Sequence, residues 1–463
     1  MRCLSAVLRD SHCVACANLH NSLEFNGTDG YGPQTSLVQG PSGNFRGTTW
    51  EGGAYGYGTV FKITPDGMLS TLYSFCSEAN CADGAISEAP MVLGANASDG
   101  NYYGTTEGGG ETGVGTVFKI TPDRVLTTLY SFCSQTNCTD GEAPYGGLVQ
   151  ANSGTFYGTA SEGGAYGYGT VFKITPDGVL TTLYSFCSQA NCADGSYPDA
   201  SLVRGTDGNY YGITLGTVFK ITPAGKLTTL HTFTDTYPLG LVQASSGNFY
   251  GTTHSGGAYG KGTVFEVTPD GVLTTLYSFC AQTNCPDGSA PSAGVVQGTD
   301  GNFYGTTQWG GSSSNCSSGC GTLFEITPEG TLSTLHSFDN TDGYIPVGLI
   351  QGTDGDFYGT TAGGGAGTCV FGGCGTVFRL PVGLGPFVET LPTHGHVGRF
   401  VRILGNALTG ATSVTFNGTP ATWKLDSDTQ ITTTVPSGAT TGNVQVVTPS
   451  GTLSSNVAFQ VLP

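Results

Sequence analysis

Seven residues stand out by type and placement: Trp50 and Glu51, Glu107, Glu162, His254, and Gln308 and Trp309. They fall just after copies of the stretch Tyr-Gly-Thr-Thr or a near variant of it, and the last copy puts Ala362 at the corresponding place. Two indoles beside carboxylates and an amide suit stacking on a sugar ring with hydrogen bonds to its hydroxyls. His254 with Glu107 and Glu162 as partners across the molecule is a set for general acid–base work, which requires geometry that spacing alone does not supply. The plainer account of all seven is drift on exposed loops. No catalytic residue and no metal ligand is assigned. His231 and His336 replace the tyrosine of LYSF and read as strand residues, and His394-Gly-His396 reads as a solvated linker. Recurrent Asp-Gly steps are turn residues first, with calcium as the alternative; no other cofactor is expected.

The elements that must position these residues come from a repeat. GTVF or GTLF begins at Gly58, Gly115, Gly169, Gly216, Gly262, Gly321 and Gly375, at intervals of 57, 54, 47, 46, 59 and 54 residues. A full copy, residues 147–198, holds four short runs (LVQ, TFYGTA, GTVFKIT and LTTLYSF) separated by turn signals. In VFKITP, Phe172 and Ile174 share one face while Val171, Lys173 and Thr175 share the other, the two-residue period of a strand. Thr-Pro-Asp-Gly then supplies a tight turn. Each unit is thus a four-stranded antiparallel meander, and seven of them predict a β-propeller over residues 19–381. The seventh unit ends at GTVFRLP without a fourth strand, whereas Leu19 to Phe25 stands alone at the front. That leading strand is expected to complete the last blade and close the ring, because an open ring leaves unpaired backbone groups on two edges.

The loop between the second and third strands, WEGGAYGYG in the first copy, reads as a glycine-permitted hairpin with its tyrosines packed on the blade edge. A nucleotide-binding loop is disfavoured, since no helix follows the glycines. The fourth copy, YGITLGTVFK, shortens this connection to a small turn.

Only 10% of residues are charged, and 15 Lys plus Arg face 33 Asp plus Glu for a formal net charge of −18. Nucleic acid and anionic membrane surfaces would be repelled. No apolar run is long enough for a transmembrane helix, so no membrane insertion is expected. Twelve cysteines form local pairs: Cys76 with Cys81, Cys133 with Cys138, Cys187 with Cys192, Cys280 with Cys285, Cys316 with Cys320, and Cys369 with Cys374. Disulfides closing such small loops would each contribute about 2 kcal/mol in the loop-entropy model, and they point to an oxidising, extracytoplasmic place. A structural zinc would need ligands pooled from successive units. Residues 1–18 form an irregular leading segment whose apolar stretch CLSAVL is short for an export signal. It carries Cys3, Cys13 and Cys16, and its CVAC is disfavoured as a redox motif because no βαβ pattern surrounds it.

After Pro381 the repeat is lost, and residues 388–463 show short strands at the spacing of a small β-sandwich. From GATSVTFNG through SDTQITTTVPSGATTGNVQVVTPSG to SNVAFQV, this segment resembles the IPT/TIG immunoglobulin-like family. The basic loops of that family's DNA-binding members are not matched, since only Arg399, Arg402 and Lys424 are basic here. The repeats resemble the GloVer tandem repeats of bacterial secreted and surface proteins, on DGNFYGTT, GTVFKITPDG and LTTLYSF. That resemblance implies an exported surface protein and brings no catalytic residue. The repeat also resembles, loosely, propeller lyases that use a His, a Glu and a divalent metal. The expected function is therefore a non-catalytic surface interaction module, secreted or at the cell surface, with glycans or other surface proteins as partners and a monomeric state. A metal-assisted lyase or hydrolase and a structural spacer are the alternatives.

Overall fold

The computed structural model describes residues 19–463 apart from 95–99, 152, 235 and 370–371. Residues 1–18, with their three cysteines, lie outside the described residues. The chain is all-β, and its only helical turns among the described residues are three short 3₁₀ segments inside cystine loops.

Between His20 and Leu380 the strands group into seven antiparallel sheets among the described residues. Sheets 1 to 6 follow the chain in order: residues 38–74, 92–131, 149–185, 203–232, 238–278 and 289–337. Sheet 7 combines Tyr344–Gln351, Phe357–Gly363 and Thr376–Leu380 with the leading strand His20–Glu24. That strand runs antiparallel to Thr376–Leu380, with Leu23 opposite Val377.

The register inside each sheet explains the repeat. In sheet 3, Phe156 to Ala160 pair with Ile174 to Thr170, and Ile174 pairs on with Leu180. The strand Thr170–Ile174 is buried everywhere except Lys173. Its two-residue period does not separate a wet face from a dry one, because each sheet is sandwiched between its neighbours and both faces are covered. The phenylalanine ending one fourth strand meets the GTVF phenylalanine of the next sheet edge to face: Phe75 and Phe118 at 5.4 Å, Phe132 and Phe172 at 5.2 Å, Phe338 and Phe378 at 5.3 Å. Phe25 meets Phe61 in the same way at 5.0 Å, so the leading strand supplies sheet 1 with the contact that every other sheet receives from its predecessor. A second series joins the second strands: Tyr103 with Phe156, Tyr157 with Tyr210, Tyr250 with Phe303 and Phe45 with Tyr358, at 3.9–4.3 Å. In sheet 1 an arginine replaces the tyrosine, and Arg46 lies 4.0 Å over the Tyr102 ring.

All six local cysteine pairs are disulfides. Cys76 is bonded to Cys81, Cys133 to Cys138, Cys187 to Cys192 and Cys280 to Cys285, each in the loop that follows a fourth strand. Cys316 is bonded to Cys320 and Cys369 to Cys374, in the loops between second and third strands of sheets 6 and 7. Of these twelve sulfur-bearing residues, Cys320 and Cys374 are fully buried and join the apolar clusters around Phe338 and Phe25. The tyrosines of the glycine-rich loops do not pack on the blade edge as expected. Tyr55, Tyr57, Tyr166 and Tyr259 are 46–54% exposed. The loops lift them clear, and at Gly56, Gly167 and Gly260 even an added Cβ would meet nothing within 4 Å.

Residues 389–462 form two four-stranded sheets packed face to face around Val401, Ile403, Val414, Phe416, Ile431 and Phe459. His394–His396 is not a solvated linker. It forms a parallel strand against Gln460–Leu462, and His394 is buried at 5% exposure. Burial, with the charges of Arg204 and Arg399, pushes its imidazole down to about 3, so it stays neutral. The sandwich sits on turns of the repeat region: Thr429 Oγ1 donates to Pro41 O at 2.7 Å, Asn406 Nδ2 to Thr353 Oγ1 at 3.0 Å, and Gln460 to Thr206 O. Leu404 completes an apolar cluster with Met91, Leu93 and Tyr102.

Candidate ligand-binding site

The middle threonine of the Tyr-Gly-Thr-Thr stretch builds the site. Thr105, Thr159, Thr252 and Thr360 are almost fully buried. Each hydroxyl donates to a backbone carbonyl in the leading segment of the next sheet: Gly146 at 3.2 Å, Ala200 at 3.1 Å, Ala293 at 2.7 Å and Thr35 at 3.0 Å. Thr306 does the same to Val347. These bonds pull the segments that lead into the first strands inward to a common centre. There they line a cavity of about 420 Å³.

The wall of this cavity is asymmetric. Sheets 2 to 5 contribute Glu88, Tyr145, Tyr197, Asp199 and Tyr237. Sheets 5 to 7 contribute Gly240, Ala293, Gly294, Val347 and Gly348. Among the described lining residues there is no lysine, arginine or histidine.

The polar side is densely connected. Tyr145 donates to Glu107 Oε1 at 2.7 Å, and its phenol is pushed up by burial, by that bond and by the charges of Glu107, Glu88 and Asp199. Burial and the neighbouring Glu107 push the Glu88 carboxyl up to about 7. Ser161 donates to Asp199, which is raised by burial and by Glu162 in spite of that bond. Asp199 is itself exposed to solvent at the cavity, so water screens much of this upward push, which is weaker here than at half-buried Glu88. Glu142, bridged through its backbone to Glu162, is also raised, by burial and then by Glu162 and Asp140. The molecule therefore holds closely spaced carboxyls here at a cost in solvation.

The seven residues singled out in the sequence lie on this same end, but they do not form one set. Glu107 and Glu162 join the cavity wall through Tyr145 and Asp199. His254 faces neither of them: its Nε2 is 3.2 Å from Gln308 Oε1 and its backbone N–H donates to Tyr237 O at 2.8 Å. Trp50 packs near Tyr31 with ring centres 6.4 Å apart, and Glu51 bridges Tyr31 through the backbone. Trp309 packs 5.5 Å from Tyr344. Neither indole lines the cavity. Glu88, Tyr145, Tyr197, Asp199 and Tyr237 lie ahead of or at the first strands, away from the variable positions after the second strand that the sequence singles out. The segment before the first strand varies as well, from SEAP through SYPDA to GYIPV, and that variation was the available signal.

The chain belongs to the Gloeobacter/Verrucomicrobia repeat family, whose model matches residues 15–215 and 214–419. Residues 387–461 match the IPT/TIG domain. A search of curated proteins finds no match. Among solved structures, a streptogramin B lyase is similar at a TM-score of 0.53 and 18% identity, over 78% of this chain and 97% of the other. A fungal alcohol oxidase of the AA5 family, in complex with copper, reaches 0.55 at 13% identity over 97% and 100%. A GH74 enzyme from Niastella koreensis reaches 0.53 at 14% identity over 93% and 74%. At these identities the likeness is one of fold, that of β-propeller proteins.

Proposed function

We propose that the seven sheets close into a seven-bladed β-propeller spanning residues 19–381, and that the protein is an extracytoplasmic, non-catalytic binding module that takes carbohydrate in its axial cavity. Contacts between the last and first sheets support the ring. Gln39 Oε1 accepts from Thr353 N at 2.9 Å just as Gln297 accepts from Ser245 at 3.0 Å and Gln351 from Thr299 at 3.0 Å. Deleting residues 19–33 would expose the edge of Thr376–Leu380, so the truncated protein should aggregate or fail to fold. A monomeric product with an unchanged melting temperature would refute closure.

The single observation that carries the binding function is the cavity, where three tyrosines and two carboxyls converge on a volume suited to one or two sugar rings. Tyrosine faces stack on sugars while carboxyls and phenols bond to hydroxyls. Six disulfides fit an oxidising compartment, and no helix among the described residues is long and apolar enough to cross a membrane. The test is a glycan array with Tyr197→Ala plus Tyr237→Ala beside the unaltered protein. Loss of signal in the double variant supports the reading; no glycan retained by the unaltered protein sinks it.

A second reading rests on Glu88, since a carboxyl held near 7 beside another is what a general acid requires. Release of reducing ends from any glycan retained on the array, abolished by Glu88→Gln, would favour hydrolysis over binding alone.

A further inference from the structure

Resting on the carbohydrate reading, we infer that the ligand is an oligosaccharide bearing free amino groups. Its end residue enters the axial cavity, its amine meets Glu88 and Asp199, and its next residue lies on Tyr168. The cavity has carboxyls on one wall, tyrosines beside them and no cationic side chain among its described lining residues. An anionic sugar meets uncompensated like charge there. A neutral sugar offers hydrogen bonds but no counter-charge to half-buried Glu88 and exposed Asp199. An ammonium answers both and stacks against the phenol faces.

Length follows from a line of rings leading outward. Tyr197, in the cavity wall, meets Tyr168 edge to face at 5.5 Å, and its N–H donates to Tyr168 O at 2.9 Å. Tyr168 is 38% exposed and Tyr166 beside it 54%. The aromatic surface therefore continues from the cavity to the rim instead of ending inside. Tyrosines on glycine-rich loops are well suited to such contacts because little side-chain entropy is lost on binding. The segments ahead of the first strands that line the cavity lie toward the glycine-rich loops, whereas the turns at Pro41, Thr206 and Thr353 lie at the other end of the first strands, where the Ig-like sandwich contacts them.

Calorimetry on the whole chain at about pH 6, where amino-sugar amines carry their proton, tests this with four ligands: a fully de-N-acetylated chitosan tetramer, its N-acetylated counterpart, glucosamine and spermidine. The expected result is the de-N-acetylated tetramer at least tenfold tighter than its N-acetylated counterpart and tighter than glucosamine. Glu88→Gln with Asp199→Asn should erase the preference while keeping residual affinity for the N-acetylated tetramer, and Tyr168→Ala should weaken the tetramer without affecting glucosamine. Equal affinity for the two tetramers overturns the amine assignment and leaves carbohydrate binding standing. Spermidine binding as tightly as the de-N-acetylated tetramer overturns the sugar part. An absence of binding by all four overturns the amino-sugar inference, while the glycan array decides the carbohydrate reading by itself.

Discussion

Two sets of carboxyls occupy this molecule, and they differ in how their oxygens are partnered. In the cystine loops Asp83, Asp140 and Asp194 are buried at 0–1% exposure. Each accepts from a strand tyrosine and from the serine that follows the first cysteine: Tyr184 at 2.7 Å, Ser188 N at 2.9 Å and Ser188 Oγ at 2.8 Å for Asp194. Burial alone would raise Asp194, but the bonds from Tyr184 and Ser188 outweigh it and hold the carboxyl below its usual range. At the cavity, Glu88 and Asp199 are raised, by burial and by a neighbouring carboxylate. The first set is satisfied and locks the loops. The second sits beside like charge with no cation among the described lining residues, and it is the set on which the proposed ligand site depends.

The largest effect is expected at the loop carboxyls. Asp140→Ala strands the donors of Tyr130, Ser134 and Gln135, so it should cost about 2–4 kcal/mol, read as a fall in melting temperature and in the denaturant midpoint. A variant as stable as the parent would mean the network is ornamental. Next in size is the difference in pH response. Glu88 binds its proton more tightly in the folded state, with a folded value of about 7 against an ordinary 4.5, so stability is lost as pH rises through that window. Glu88→Gln should therefore gain about 2 °C in melting temperature at pH 8 relative to the parent and none at pH 4. Asp194→Asn should show the reverse: the stabilisation that Asp194 contributes is present above its ordinary value of 3.8 and is lost as the pH falls through its lowered folded value. The smallest effect is expected from Tyr145→Phe, which removes one half-exposed bond to Glu107 and should change stability by under about 1 kcal/mol while altering ligand affinity. Separately, thiol labelling under denaturing conditions without reductant should modify no more than three of the 15 cysteines, Cys3, Cys13 and Cys16.

Much of the scaffold was legible from local pattern. Four strands per unit, the Thr-Pro-Asp-Gly turn, the short fourth-unit connection between Ile213 and Thr217, and cysteine pairs such as Cys187 with Cys192 and Cys280 with Cys285 all follow from residues within a few positions of each other. The pairing of His20–Glu24 with Thr376–Leu380 was legible too, because a strand missing from one end of a repeat is visible at the other. His336 in place of tyrosine reads the same way, and its Nε2 indeed meets Asp342 at 2.7 Å as the tyrosines meet their aspartates. The outward tyrosines and the buried His394 are not legible in the sequence, since glycine-rich composition does not say whether a loop folds back, nor a short HGH whether another strand will cover it.

The sequence by itself determined the unit, its turns, its disulfides and the identity of the missing strand, because short-range periodicity and steric preference are written in neighbouring residues. Only the tertiary structure decided that Glu88, Tyr145 and Asp199, scattered over more than a hundred residues, share one cavity wall while Trp50, His254 and Trp309 do not. Their raised carboxyls exist only once the sheets have assembled, since desolvation and like-charge proximity are properties of a shared space and not of any one segment.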